Sequence, residues 1–93
     1  MIVSFADSAT RDVWNRERVR SMSYELQRVA LRKLVMLDAA VVLDDLKAPP
    51  GNRLELLKGD RAGRHSIRVN DQWRVCFAWT SAGPQDVEIV DYH

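Results

Sequence analysis

Three side chains able to move protons, Asp91, Tyr92 and His93, close the stretch "VEIVDYH". Known metal patterns are a poor match, because one cysteine (Cys76) and two histidines (His65 and His93) stand at unrelated spacings. "KGDRAG" lacks the spacing and the following lysine of a phosphate loop, and no serine-centred elbow occurs. What remains is cations, a phenol, an imidazole and carboxylates. That combination suits metal-free cleavage of an RNA phosphodiester, in which the 2'-hydroxyl attacks its neighbouring phosphate. A base takes the hydroxyl proton, cations neutralise charge developing on the phosphate, and an acid protonates the leaving oxygen.

Such a set must be held by a small scaffold. With 93 residues, one domain over 1–93 is expected. Hydrophobic residues at 46% and charged residues at 29% are ordinary for a globular protein. No apolar run is long enough to cross a bilayer, and "MIVSFADSATRD" lacks the pattern of a secretory signal. The single cysteine excludes an internal disulfide and fits a reducing cytoplasm. Net charge is only +1, so the distribution of charge says more than the total. Between Lys58 and Arg74 five basic residues (Lys58, Arg61, Arg64, Arg68, Arg74) face two acids (Asp60, Asp71). A second basic cluster holds Arg16, Arg18, Arg20, Arg28, Arg32 and Lys33. Local basic faces permit phosphate binding, although a charge run by itself is more often a solvated surface.

The prolines in "APPGN" divide the chain into halves of different character. Before them, "IVSF" has the composition of a short strand, and Asp7 or Ser8 can cap a helix through "ATRDVWNRE". A longer helix is expected from Ser23 to Leu37, since Leu26, Ala30, Leu34 and Leu37 draw one apolar stripe. "DAAVVLDDL" suggests a further helical turn with Leu43 and Leu46 inward. After the prolines, alternation predicts strands in "RLELL", "HSIRV", "WRVCFAW" and "DVEIVDY", joined by turn-rich "NDQ" and "TSAGPQ". The expected class is α+β: an N-terminal strand and two to three helices packed on a mainly antiparallel sheet of four to five strands.

Parity then sorts the sheet residues. Trp73, Val75, Phe77 and Trp79 should pack on the helices, leaving Ser66, Arg68, Arg74 and Tyr92 on a second, open and more polar face. His65 shares its parity with Ile67 and Val69 and is expected to be structural. Strict alternation would turn Asp91 and His93 toward the side of Val87 and Ile89, unless the strand bends or ends at Val90.

"LKGDRAGRHSIRVNDQWRVCF" and the terminal "DYH" resemble the HigB branch of the RelE/ParE toxin superfamily, and "RKLVMLDAA" and "LDDL" extend the resemblance to the first half. The resemblance implies a cytoplasmic, metal-independent and cofactor-free endoribonuclease that cleaves mRNA in the ribosomal A site. It implies neutralisation by a HigA-like helix-turn-helix antitoxin, through which the pair contacts operator DNA. Lys58 matches a family active-site lysine, which implies phosphate contact and charge stabilisation. Arg74 matches the core-strand arginine, whose planar fork suits phosphate oxygens. Tyr92 matches the C-terminal tyrosine, as a base or a stacking platform for a nucleobase. Asp91 and His93 complete the family's "DYH", and an imidazole such as that of His93 is the side chain type suited to acid–base work near neutrality. Some relatives carry histidine where this chain has Glu55, so Glu55 is a candidate base. Arg53, Arg64, Ser66 and Arg68 are candidate RNA contacts. Two other readings stay open: a ParE-like poison of DNA gyrase on the same fold, and a catalytically inactive corepressor acting with its antitoxin.

Overall fold

The computed structural model describes residues 1–91, so Tyr92 and His93 lie outside the described residues. Helix α1 spans Ser8–Trp14 and begins where the Asp7 carboxylate accepts the Thr10 amide at 2.7 Å. Asp7 thereby satisfies one of the donors that a helix start leaves open. Helix α2 spans Tyr24–Ala39, capped by the Ser23 hydroxyl accepting from the Leu26 amide at 3.1 Å. Its buried residues are Leu26, Ala30, Leu34 and Leu37, the stripe expected from their spacing. A 3-10 helix at Leu43–Lys47 turns Leu46 into the core, and a second follows at Pro50–Asn52. Buried Asn52 organises this connection. Its amide donates to the carbonyls of Leu46 and Ala48, both at 3.2 Å, and its oxygen accepts from Lys33 Nζ at 2.6 Å. Burial, then the neighbouring charges of Arg32 and Arg68, lower the Lys33 pKa.

Four strands follow: β1 (Glu55–Leu56), β2 (His65–Arg68), β3 (Trp73–Thr80) and β4 (Gly83–Asp91). They form one antiparallel sheet in the order β1-β2-β3-β4. The first of these is shorter than the alternation in "RLELL" suggests, because Arg53 takes the left-handed backbone conformation, φ 45°, and breaks the extension. Another difference concerns "IVSF". This segment makes one parallel bridge, Phe5 to Val87, rather than a full strand. Main-chain bonds from Val3 to Pro84 (2.7 Å), Val87 to Ser4 (3.0 Å) and Ala6 to Val87 (2.9 Å) hold it beside β4.

The core lies between the helices and one sheet face, where Ile67, Val75, Phe77, Val87 and Ile89 meet the α2 stripe and Val13. Trp14, Trp73 and Trp79 pack on its margin. His65 stacks on Phe77 with ring centroids 6.3 Å apart. Buried Thr10 joins α1 to the sheet, its hydroxyl accepting from the Ile89 amide at 3.0 Å. A bulge shapes β4: Cys76 pairs with Glu88, whereas Ala78 pairs with Gln85. Asp86 and Val87 together therefore oppose Phe77, and Asp86 absorbs the extra residue at φ 52°. The bulge keeps Val87 and Ile89 on the core side and Glu88 on the other.

Candidate functional site

The side of the sheet away from the helices is set by register. Glu55, Ser66, Cys76 and Glu88 form one row across all four strands, and Arg68, Arg74 and Val90 form the next. This side is less open than parity suggests. Ser66 and Cys76 are fully buried and Arg74 is only 9% exposed. Side chains from the segment after β1 reach this side. Leu57 donates its amide to the Arg64 carbonyl at 2.8 Å, and a 3-10 turn at Gly59–Arg61 carries Arg61 and Arg64 toward Glu88. Burial drives the Cys76 thiol pKa up, with the surrounding Arg61, Arg64 and Arg74 charges opposing that rise in part.

Arg74 reaches from β3 across β2. Its Nε donates to the Ser66 hydroxyl at 2.7 Å, and Nη2 donates to the Arg53 carbonyl at 2.7 Å and the Ser66 carbonyl at 3.4 Å. Those acceptors fix the plane of the guanidinium. They also give two expected RNA contacts a different local part. Ser66 is sealed from solvent and holds Arg74 through its hydroxyl, while Arg53 holds it through a main-chain carbonyl. Neither role depends on reaching solvent.

Glu55 and Lys58 are exposed. Glu55 lies opposite Ser66, the residue that orients Arg74. Lys58 precedes the Gly59–Arg61 turn, so its backbone is carried by the segment that Arg61 and Arg64 tie to Glu88. Arg64 also donates to the Asp86 carbonyl, and Arg68 pairs with Asp71 at the hairpin end. Asp91 is not gathered with this set. Because β4 continues through Asp91 instead of ending at Val90, Asp91 stands in register with Trp73, on the other side of the strand from Glu88. Gln72 Nε2 donates to its carboxylate at 3.1 Å. Among the described residues, no group of three or more histidine, cysteine, aspartate or glutamate side chains is placed to hold a metal ion.

Glu88 was absent from the sequence-based set, yet it anchors this face. Its parity with Val90 was visible, but the arginines that converge on it come from 24 and 27 residues away.

A family model described as the RelE-like toxin of type II toxin–antitoxin system HigB matches residues 3–93. The chain belongs to the HigB-like toxin family. Toxin HigB-1 of Vibrio cholerae serotype O1 is 46% identical over 63 residues, 68% of this chain and 66% of that protein. A Haemophilus influenzae protein described only as uncharacterized is 43% identical over 54 residues, 58% of this chain and 54% of its own. The matched regions thus span between about half and two thirds of these relatives' length. The HigB-like fold also resembles solved structures. The YoeB-YefM complex from Staphylococcus aureus superposes with TM-score 0.63 at 17% identity, covering all of this chain and 95% of that one. The YoeB/ParE toxin from Agrobacterium tumefaciens gives TM-score 0.51 at 21% identity, covering 99% and 96%. At these identities the structural likeness speaks for the fold: two helices on a four-stranded antiparallel sheet. No described helix of this HigB-like chain is long and apolar enough to cross a membrane.

Proposed function

We propose that this HigB-like toxin is a metal-independent endonuclease that cuts mRNA in the ribosomal A site and so halts translation in the cytoplasm. The observation that carries the reading is the held Arg74. Burial alone calls for acceptors, and the three oxygens that supply them also fix the guanidinium plane in advance, which a phosphate-binding arginine benefits from. Exposed Lys58, on the loop tied to the same face, supplies a second cation for the scissile phosphate.

In the proposed reaction the 2'-oxygen bonds to the adjacent phosphorus as its proton passes to a base. The bond to the 5'-oxygen breaks, and that oxygen takes a proton from an acid. The products are a 2',3'-cyclic phosphate and a 5'-hydroxyl. Glu55, Tyr92 and His93 are the proposed proton carriers, and Arg74 and Lys58 the charge stabilisers. Asp91 is proposed to hold the end of β4 through Gln72, and Ser66 and Arg53 to orient Arg74. Arg64 and Arg68 flank the RNA path. A HigA-like helix-turn-helix antitoxin is the proposed neutralising partner, and operator DNA is reached through it.

Primer extension on translated mRNA, with and without ribosomes, tests the reading. The wild-type protein is expected to cut at A-site codons, and Lys58→Ala to lower cleavage by roughly 10²-fold or more while remaining folded. Full cleavage by Lys58→Ala would falsify the assignment of Lys58. Absence of any cutting by the wild type, with DNA supercoiling inhibited instead, would replace the nuclease by a gyrase poison.

A further inference from the structure

We infer that Glu88 is a positioning residue of the site: through Arg61 and Arg64 it fixes the turn that presents Lys58. The inference rests on the nuclease reading above. Glu88 is the β4 member of the row Glu55–Ser66–Cys76–Glu88. Its carboxylate accepts from Arg61 Nη1 and lies 3.7 Å from Arg64 Nη1. The Glu88 side chain is only 19% exposed, so these pairs are less screened than ion pairs on an open surface.

The covalent geometry carries the effect to Lys58. Lys58 caps the 3-10 turn, and Arg61 is the last residue of that turn. Ala62 donates to the Gly59 carbonyl and Arg64 to the Arg61 carbonyl, both at 3.0 Å. Gly59 and Gly63 take positive φ, 69° and 85°, and Gly59–Arg61 buries no residue. Buried Leu57 anchors the start of this segment, but the permissive stretch beyond Lys58 buries nothing and needs side-chain contacts to have one conformation. The Leu57–Arg64 main-chain bond closes its base, and the arginine–glutamate pairs tie its far side to the sheet.

Removing the Glu88 carboxylate takes a negative charge from beside two guanidinium groups. Its loss should leave RNA attraction equal or stronger while the lysine loses its set place. That pattern separates positioning from a general loss of fold, which would weaken binding and turnover together.

The test is single-turnover cleavage of ribosome-bound mRNA by the full chain. Glu88→Ala is expected to lower the maximal rate about tenfold, as misplacement of a catalytic group does, with the half-saturating ribosome concentration unchanged or lower. Glu88→Gln keeps an acceptor for Arg61 and should recover part of the rate. In a Lys58→Ala background Glu88→Ala should cost nothing more, because both changes remove the same contribution. A rate within about twofold of wild type, or losses that multiply in the double variant, overturns the inference. If the wild-type chain cuts no RNA, the nuclease reading fails separately. The positioning claim then stands or falls on amide hydrogen exchange at Ala62 and Arg64. Exchange about tenfold faster in Glu88→Ala supports it, and unchanged exchange overturns it.

Discussion

Replacing Ser66 with alanine removes one oxygen from a fully buried position and creates almost no cavity, so it isolates the hydroxyl's bond to Arg74. A hydrogen bond to a charged group contributes about 1.5–3 kcal/mol, and a buried donor stripped of its acceptor loses most of that. The guanidinium retains the Arg53 carbonyl at 2.7 Å and has the Ser66 carbonyl 3.4 Å away. Those oxygens take up part of the loss and place the cost near the lower limit, about 1.5 kcal/mol. A domain of this size has roughly 5–14 kcal/mol of stability in total. The substitution should therefore lower Tm by about 6–12 °C, at some 4–8 °C per kcal/mol. Thermal unfolding followed by circular dichroism measures the shift, and under the proposed nuclease reading mRNA cleavage measured well below Tm reports whether the guanidinium has turned. Cleavage should fall about tenfold if its plane is released. A Tm within about 2 °C of wild type, with cleavage unaltered, would refute the claim that Ser66 holds Arg74.

Other substitutions probe the scaffold. Thr10→Val leaves the Ile89 amide without its acceptor and should cost about 1–3 kcal/mol by denaturant unfolding, while Thr10→Ser stays within ~1 kcal/mol. Gly83→Ala puts a Cβ 2.2 Å from the Met1 carbonyl oxygen at a φ of 125°, so it should destabilise by more than ~1 kcal/mol. It should also speed exchange of the Val3 amide, and exchange as slow as wild type would count against that packing. Cys76, fully buried and with its thiol pKa raised, should react with iodoacetamide at pH 8 only as fast as the protein opens. Rapid labelling of the folded protein would contradict its placement.

Much of the scaffold is legible in residue spacing because local periodicity and burial agree there. The α2 stripe needs only the helical repeat, and "WRVCFAW" needs only alternation with β-branched and aromatic residues. The short β1 and the single bridge at Phe5 depend instead on distant pairing. Phe5 finds Val87 82 residues away, and Arg53 adopts a left-handed backbone that no local pattern announces. The bulge at Asp86 has the same character, since the register on both of its sides is set by β3.

The polar face shows where composition misleads. Arg61, Arg64, Arg68 and Arg74 form a basic run in sequence, which suggests a free cationic surface. In three dimensions Arg61 and Arg64 converge on Glu88, Arg68 on Asp71, and Arg74 on oxygens of Ser66 and Arg53. Charge patterning counts these cations and the neighbouring Asp71 correctly, but it cannot see Glu88 or the Arg53 carbonyl, which only the folded chain brings near. The proton-transfer roles proposed for Glu55, Tyr92 and His93 rest on resemblance and side-chain chemistry.

The bridge between Phe5 and Val87 also bears on how such a chain is made. Synthesis delivers residues 3–6 long before the strand that receives them. Until β4 has been added, Val3 and Ala6 lack the carbonyls of Pro84 and Val87, and Thr10 lacks the Ile89 amide. Glu88, which gathers Arg61 and Arg64, arrives on the same late strand. Completion of the scaffold and ordering of its cationic loop therefore wait for one closing event. A ribosome translating this message carries a nascent chain whose scaffold stays open until β4 has emerged.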